Sequence, residues 1–213
     1  MHVILLGRQG SGKTSIAHDL EKHGYRIVQS VTTRPPRPSQ DEHQDYQFVN
    51  DDIFNSMNDH LYAIREYNTT KGVWRYGIDL NDINANEDNV TILDPEGFME
   101  IRDKVQDRFA VYLDVPASIR INRVLTRGDD YDEVFRRETD DAPRFEILDK
   151  KFKDLCDLRS DGRKRTSDGN LYPRTVEEES LRIRRYISAF KKDEIDYDEH
   201  PEEGDDAVYL PEA

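Results

Sequence analysis

Cysteine, tryptophan and long apolar runs are scarce in this sequence: Cys156 and Trp74 are each the only residue of their kind among 213. A single thiol excludes an intramolecular disulfide and fits a reducing compartment. The apolar opening "HVILLG" is far too short to span a bilayer and lacks a basic leader or a small-residue cleavage pattern. The expectation is a cytoplasmic protein with no membrane partner. Positive charge is also short, with 31 Lys and Arg against 45 Asp and Glu and a formal net charge of -14. Neutralising a phosphodiester polymer needs a basic surface, so a nucleic-acid polymer is excluded as the general partner. An anion site in such a chain must be local and concentrated. Apolar residues make up 35% and charged residues 36%. The length suits one α/β domain, with part of the chain expected outside its core.

Within those bounds, strands alternate with helices. Residues 3–6 form an apolar run ended by glycine, and "SIAHDLEKHG" then places Ile16, Ala17 and Leu20 at helical spacing. "YRIVQSVTTR" reads as a second strand, and "DYQFVNDDIFNSM" as a short strand followed by a helix capped at Asn50 or Asp51. "YAIREYNTTKGVWRYGI" alternates β-formers with turn residues, which predicts a small antiparallel sheet. "NVTILD" and "FAVYLDV" read as buried strands joined by a crossover helix over "PEGFMEIRDKVQ". That order implies a parallel sheet covered on both faces. "ASIRINRVLTRG" is an arginine-rich helix, and the charged helix after it is expected to be interrupted at Pro143. "LRSDGRKRTSDGNLYPRT" has no clear period and reads as a long polar loop or ordered insertion, with no further strand legible after Phe152. "VEEESLRIRRYISAF" is the final helix, and the acidic, apolar-poor residues that follow read as a disordered tail over 191–213.

The segment "GRQGSGKTS" satisfies G-x-x-x-x-G-K-[ST] and lies between a buried strand and a helix, where its mechanism requires it. Gly7, Gly10 and Gly12 let the backbone curl so that N–H groups, including those of Ser11 and Ser15, face phosphate oxygens at a helix N-terminus. Lys13 is expected on the β- and γ-phosphates of ATP, with Thr14 on Mg²⁺. Asp94 ends a strand and is the expected acidic partner of that metal, the rival reading being a helix cap.

A second anion site is expected in "SVTTRPPRPSQDEHQDYQF", where Pro35, Pro36 and Pro38 stiffen the segment that presents Arg34 and Arg37. Two guanidinium groups can grip a monophosphate through charge-assisted bonds, and Tyr46 adds a neutral donor. Arg123 and Arg127 are four apart and share a helix face; with Arg137 they are candidates to neutralise a transferring phosphoryl group.

Taken together, "GRQGSGKT", "SVTTRPPRPSQDEHQDYQFV", "YG", "ILDPEG" and "RVLTRG", in that order, resemble the guanylate kinase family of P-loop nucleoside monophosphate kinases over about residues 3–146. The resemblance implies a three-layer P-loop core over 1–190, a β-rich monophosphate-binding subdomain at about 32–82 and a helical lid at about 120–143. It implies that Ser30 touches the base, that Arg34, Arg37, Tyr46 and Tyr76 hold the acceptor phosphate, and that Arg123, Arg127 and Arg137 belong to the lid. Asp94 and Glu96 fall on the family's D-x-D pair. The chain departs from that pattern at Ile78, which replaces a hydroxyl residue that reads guanine, and the base-reading glutamate is assigned to Glu66 in a lengthened segment. The expected activity is Mg²⁺-dependent transfer of the γ-phosphoryl of ATP to GMP or dGMP. The rivals are a kinase for another monophosphate, such as dTMP or a sugar phosphate, and a non-catalytic module that binds phosphopeptides.

Overall fold

The computed structural model describes residues 1–36, 46–69 and 72–192. Strand β1 (His2–Leu6) is buried at every position. Val3 and Leu5 enter one core with Ile16, Leu20, Ile183 and Ile187, while Ile4 and Leu6 enter a second with Phe98, Leu148 and Ile78. A strand apolar on both faces belongs in the middle of a covered parallel sheet, and β1 takes that place. Helix α1 (Lys13–Lys22) follows it. Next come β2 (Arg26–Ile27) and β3 (Ser30–Thr32), which lie in different sheets, so the chain crosses between sheets at Val28 and Gln29. The single strand expected over "YRIVQSVTT" is therefore two.

Strand β4 (Tyr46–Phe48) leads into helix α2 (Asp51–Ser56), where Asn50 Oδ1 accepts from the Ile53 N–H at 2.8 Å. The antiparallel pair β5 (Leu61–Thr69) and β6 (Gly72–Asp79) completes a small sheet in the order β4-β3-β6-β5, with Val31, Phe54 and Leu61 as its own core. The chain returns to the main sheet through a 3₁₀ turn at Leu80–Asp82, where Asp82 is bonded to Arg26. Strand β7 (Asn89–Ile92), helix α3 (Pro95–Ile101) and β8 (Arg108–Leu113) follow. Helices α4 (Ala117–Thr126) and α5 (Tyr131–Leu155) come next. The expected break at Pro143 does not occur: α5 runs through it, the ring is exposed, and the non-helical residue is Lys151.

The segment read as a polar loop contains β9 (Leu158–Ser160), which pairs in parallel with β8 and gives the five-stranded order β2-β7-β1-β8-β9. Two of its three residues are buried, too few to show a period in the sequence. It also holds a hairpin of β10 (Arg163–Arg165) and β11 (Leu171–Pro173). Helix α6 (Val176–Lys191) starts with a capping box between Thr175 and Glu178. Lys191, placed in the tail by the sequence reading, ends this helix and pairs with Asp88; residues from 193 onward lie outside the described residues. Among the described residues no helix is long and apolar enough to cross a membrane.

Candidate active site

Residues 7–12 turn from the end of β1 into α1. Gly10 has φ 72°, and a Cβ there would sit 2.5 Å from the Arg120 carbonyl oxygen, so only glycine fits this close approach. Ser11 is buried, its N–H donating to the Arg8 carbonyl at 3.2 Å, whereas Thr14 and Ser15 are exposed at the head of α1. Lys13 Nζ donates to the carbonyls of Arg8, at 3.0 Å, and Gly7. Burial lowers its pKa to about 8, with Asp141 of α5 acting in the opposite sense. The ammonium thus rests on the loop's own carbonyls, from which an arriving polyphosphate can draw it.

Helices α4 and α5 close the loop from above. Arg123 Nη1 donates to the Gly10 and Ser11 carbonyls at 3.3 and 3.5 Å. Arg127 and Arg137 are not brought to the loop: Arg127 grips Asp129 at 2.5 and 2.9 Å, and Arg137 donates to Glu133 at 2.7 Å. The carboxylates at 129 and 133, close in sequence to each arginine, account for the difference.

Across the cleft, Arg34 is 5% exposed, and its guanidinium lies 5.1 Å from the Tyr46 ring centroid and 5.2 Å from that of Phe48. Tyr46 meets Tyr76 edge to face at 6.1 Å, and Tyr76 meets Tyr67 at 5.5 Å. The Arg144 guanidinium of α5 stands 5.8 Å from the Tyr67 ring. Burial raises the Tyr67 pKa, with the charge of Asp94 adding to it. Arginine faces and tyrosine rings thus line one wall continuously, a surface suited to an anion. Arg37 lies outside the described residues.

The base-reading assignments change with the register. β5 carries a bulge between Tyr62 and Arg65, with Ala63 at φ 52°. Tyr62 stands opposite Ile78 and Arg65 opposite Tyr76, so Arg65 and Tyr67 share the cleft face. Glu66 is exposed opposite Arg75, and Arg75 turns the other way onto Phe54, so Glu66 points away from the cleft. An extra residue shifts every later side chain to the other face. Ser30 pairs with Ile78, which is 2% exposed and packed in the second core, so its side chain faces protein.

Asp94 caps α3, its Oδ1 accepting from the Gly97 N–H at 2.6 Å, while Oδ2 lies 3.4 Å from Arg65 Nε. Glu96 Oε2 is 3.3 Å from the same nitrogen and is 55% exposed. The cap reading of Asp94 is therefore present, and its buried Oδ2 has no hydrogen-bond partner among the described residues, only the ion pair with Arg65. One buried carboxylate oxygen and one threonine hydroxyl are the hard donors Mg²⁺ takes when nucleotide phosphates and water supply the rest. By donor chemistry the two residues fit the ion.

Sequence reasoning missed Arg65, Arg120 and Arg144. Arg65 is hidden by the bulge, and the partners of the other two lie on elements distant in sequence.

The family model for guanylate kinase matches residues 1–146. The guanylate kinase of Thermobifida fusca is 30% identical over 158 residues, covering 71% of this chain and 80% of that one. That of Latilactobacillus sakei is 25% identical over 206 residues, covering 90% and 96%. A crystal structure of guanylate kinase from Anaplasma phagocytophilum shares the fold with a TM-score of 0.56 at 16% identity, covering 89% of this chain and 85% of that one. Phosphate loop, cleft and sequence match agree, and the chain belongs to the guanylate kinase family.

Proposed function

We propose that the protein transfers the γ-phosphoryl group of ATP to GMP or dGMP in the cytoplasm. The observation that carries this reading is an intact phosphate loop, with Lys13 and Thr14 in place, and an arginine-on-tyrosine wall that share helix α5 as a neighbour, through Asp141 beside Lys13 and Arg144 over Tyr67. An oxygen of the acceptor phosphate attacks the γ-phosphorus in line; the bond to the β–γ bridging oxygen breaks, and ADP and the nucleoside diphosphate leave. Arg34, Tyr46 and Tyr76 hold the acceptor phosphate, assisted by Arg37. Lys13 and Arg123 stabilise charge at the donor end, and Arg127 and Arg137 join them when the helices shift on nucleotide binding. Thr14 and Asp94 would hold Mg²⁺, which neutralises charge on the donor phosphates when bound. Ser30 contacts the base, and with Ile78 buried and Glu66 turned away, Arg65, paired with Glu96 at 3.3 Å, is the charged group assigned to read it.

A coupled ADP-release assay with ATP and Mg²⁺ against GMP, dGMP, AMP, dTMP, UMP and CMP tests the reading. Preferential turnover of GMP or dGMP is the expected result. Turnover of another monophosphate would keep the mechanism and replace the acceptor, and silence on all six with ATP bound would reject the kinase reading.

A further inference from the structure

Arg120 is 96% buried, yet no step of the proposed reaction uses it. Its Nε donates to the Val115 carbonyl at 2.8 Å and its Nη1 to the Gln9 carbonyl at 3.2 Å. Both terminal nitrogens grip Glu138 of α5, at 2.5 and 2.9 Å. Gln9 completes the knot, its Nε2 donating to the Val134 carbonyl at 2.7 Å and to Glu138 at 3.3 Å. One buried ion pair therefore joins α4, α5 and the corner of the phosphate loop.

We infer that Arg120 and Glu138 are positioning residues that aim the phosphate loop at the donor nucleotide, an inference that rests on the kinase reading above. The peptide unit between Gln9 and Gly10 is planar and trans, so its C=O and N–H point in opposite directions. Holding the carbonyl against Arg120 turns the Gly10 N–H to the far side, away from α4 and toward the space the loop encloses. A loop built on glycine has little stiffness of its own, and Arg120 supplies the constraint from outside. Glu138 fixes the fork of Arg120, and a lysine could not reach Val115, Gln9 and Glu138 at once. A second anchor, Arg8 on Asp149 at 2.6 Å with Tyr112 at 2.9 Å, ties the start of the loop to α5 independently.

Buried ion pairs exchanged together for apolar residues of similar size usually leave the fold intact, so the decisive variant is the double change Arg120→Leu with Glu138→Leu. Its melting temperature is expected to stay within a few degrees of wild type. Its KM for ATP should rise about 10- to 100-fold, the cost of misplacing a binding group by about an ångström, with KM for GMP unchanged within about twofold. Amide hydrogen exchange at Gly10 and Gly12 should accelerate in the same variant, and Arg120→Lys alone should show the same KM split at smaller size. A folded double variant with wild-type KM for ATP and wild-type exchange would overturn the inference and leave the pair a packing element. The exchange comparison needs no turnover, so a wild-type protein inactive on every monophosphate would reject the kinase reading without deciding this test.

Discussion

The loop over residues 7–14 and the wall formed by Arg34, Tyr46, Tyr76 and Tyr67 each hold a phosphate in the proposed reaction, but by different means. The loop uses backbone: glycines bend it, and its carbonyls are taken by Lys13, Arg120 and Arg123. The wall uses side chains on strands, where the register decides which of them face the cleft. The first arrangement is dictated by a short stretch of sequence. The second depends on one extra residue at Ala63, far along the chain from Arg34, and so can be changed without touching the loop.

The sharpest way to break the comparison is Lys13→Ala. Removing one preorganised donor of this kind costs roughly 10²–10³-fold in kcat, and steady-state rates with circular dichroism should show that loss in a folded protein. Near-wild-type turnover would strip the loop of its role. Arg34→Ala should act on the other side only. Loss of charge-assisted bonds worth about 1.5–3 kcal/mol raises KM for GMP by roughly 10- to 100-fold, and an equal rise in KM for ATP would show the two sides are not separate.

Titration sharpens the contrast further. Burial lowers the Lys13 pKa to about 8, and it is the protonated form that attracts phosphate. The ammonium is therefore present below that value and lost above it. kcat/KM for ATP should be flat on the acid side and fall about tenfold per pH unit beyond about 8, whereas ADP binding measured on Lys13→Ala should lack this limb. The smallest effect is expected at the bulge. Ala63 sits at φ 52°, a conformation that costs a residue with a Cβ roughly 1–2 kcal/mol. Ala63→Gly should raise the melting temperature by a few degrees with the acceptor preference intact; a lower melting temperature would mean that its methyl contact near Gly97 outweighs the strain.

The same contrast explains what could be read in the sequence. The loop was legible residue by residue, because its spacing is its geometry, and β1 was legible because both its faces are apolar. The arginines at 123, 127 and 137 were visible as residues, but Asp129 and Glu133 decide where two of them point. The resemblance points to Glu66 as the base reader, but it carries no information about the bulge between Tyr62 and Arg65 that sets which face Glu66 takes. Pro143 reads as a break in the sequence, but α5 runs through it with the ring exposed, anchored on either side by the buried Val134, Phe145 and Leu148. The Arg120–Glu138 pair left no signal, since two charged residues on two helices look like solvent-facing positions until the helices meet over the loop.

The small sheet leaves the core after β2 and rejoins it before β7, and Arg26 and Asp82 clasp the two crossings together. The insertion thus enters and leaves the core at one place, while Ala63 and Ile78 pack it onto the second core and Arg65 pairs it with Asp94. Substitutions, bulges and length changes between the crossings can be tried by evolution, or by an engineer, while the strand order of the core stays as it was. The wall that holds the acceptor in the proposed reaction is thus encoded in a separate stretch of chain from the loop that holds the donor.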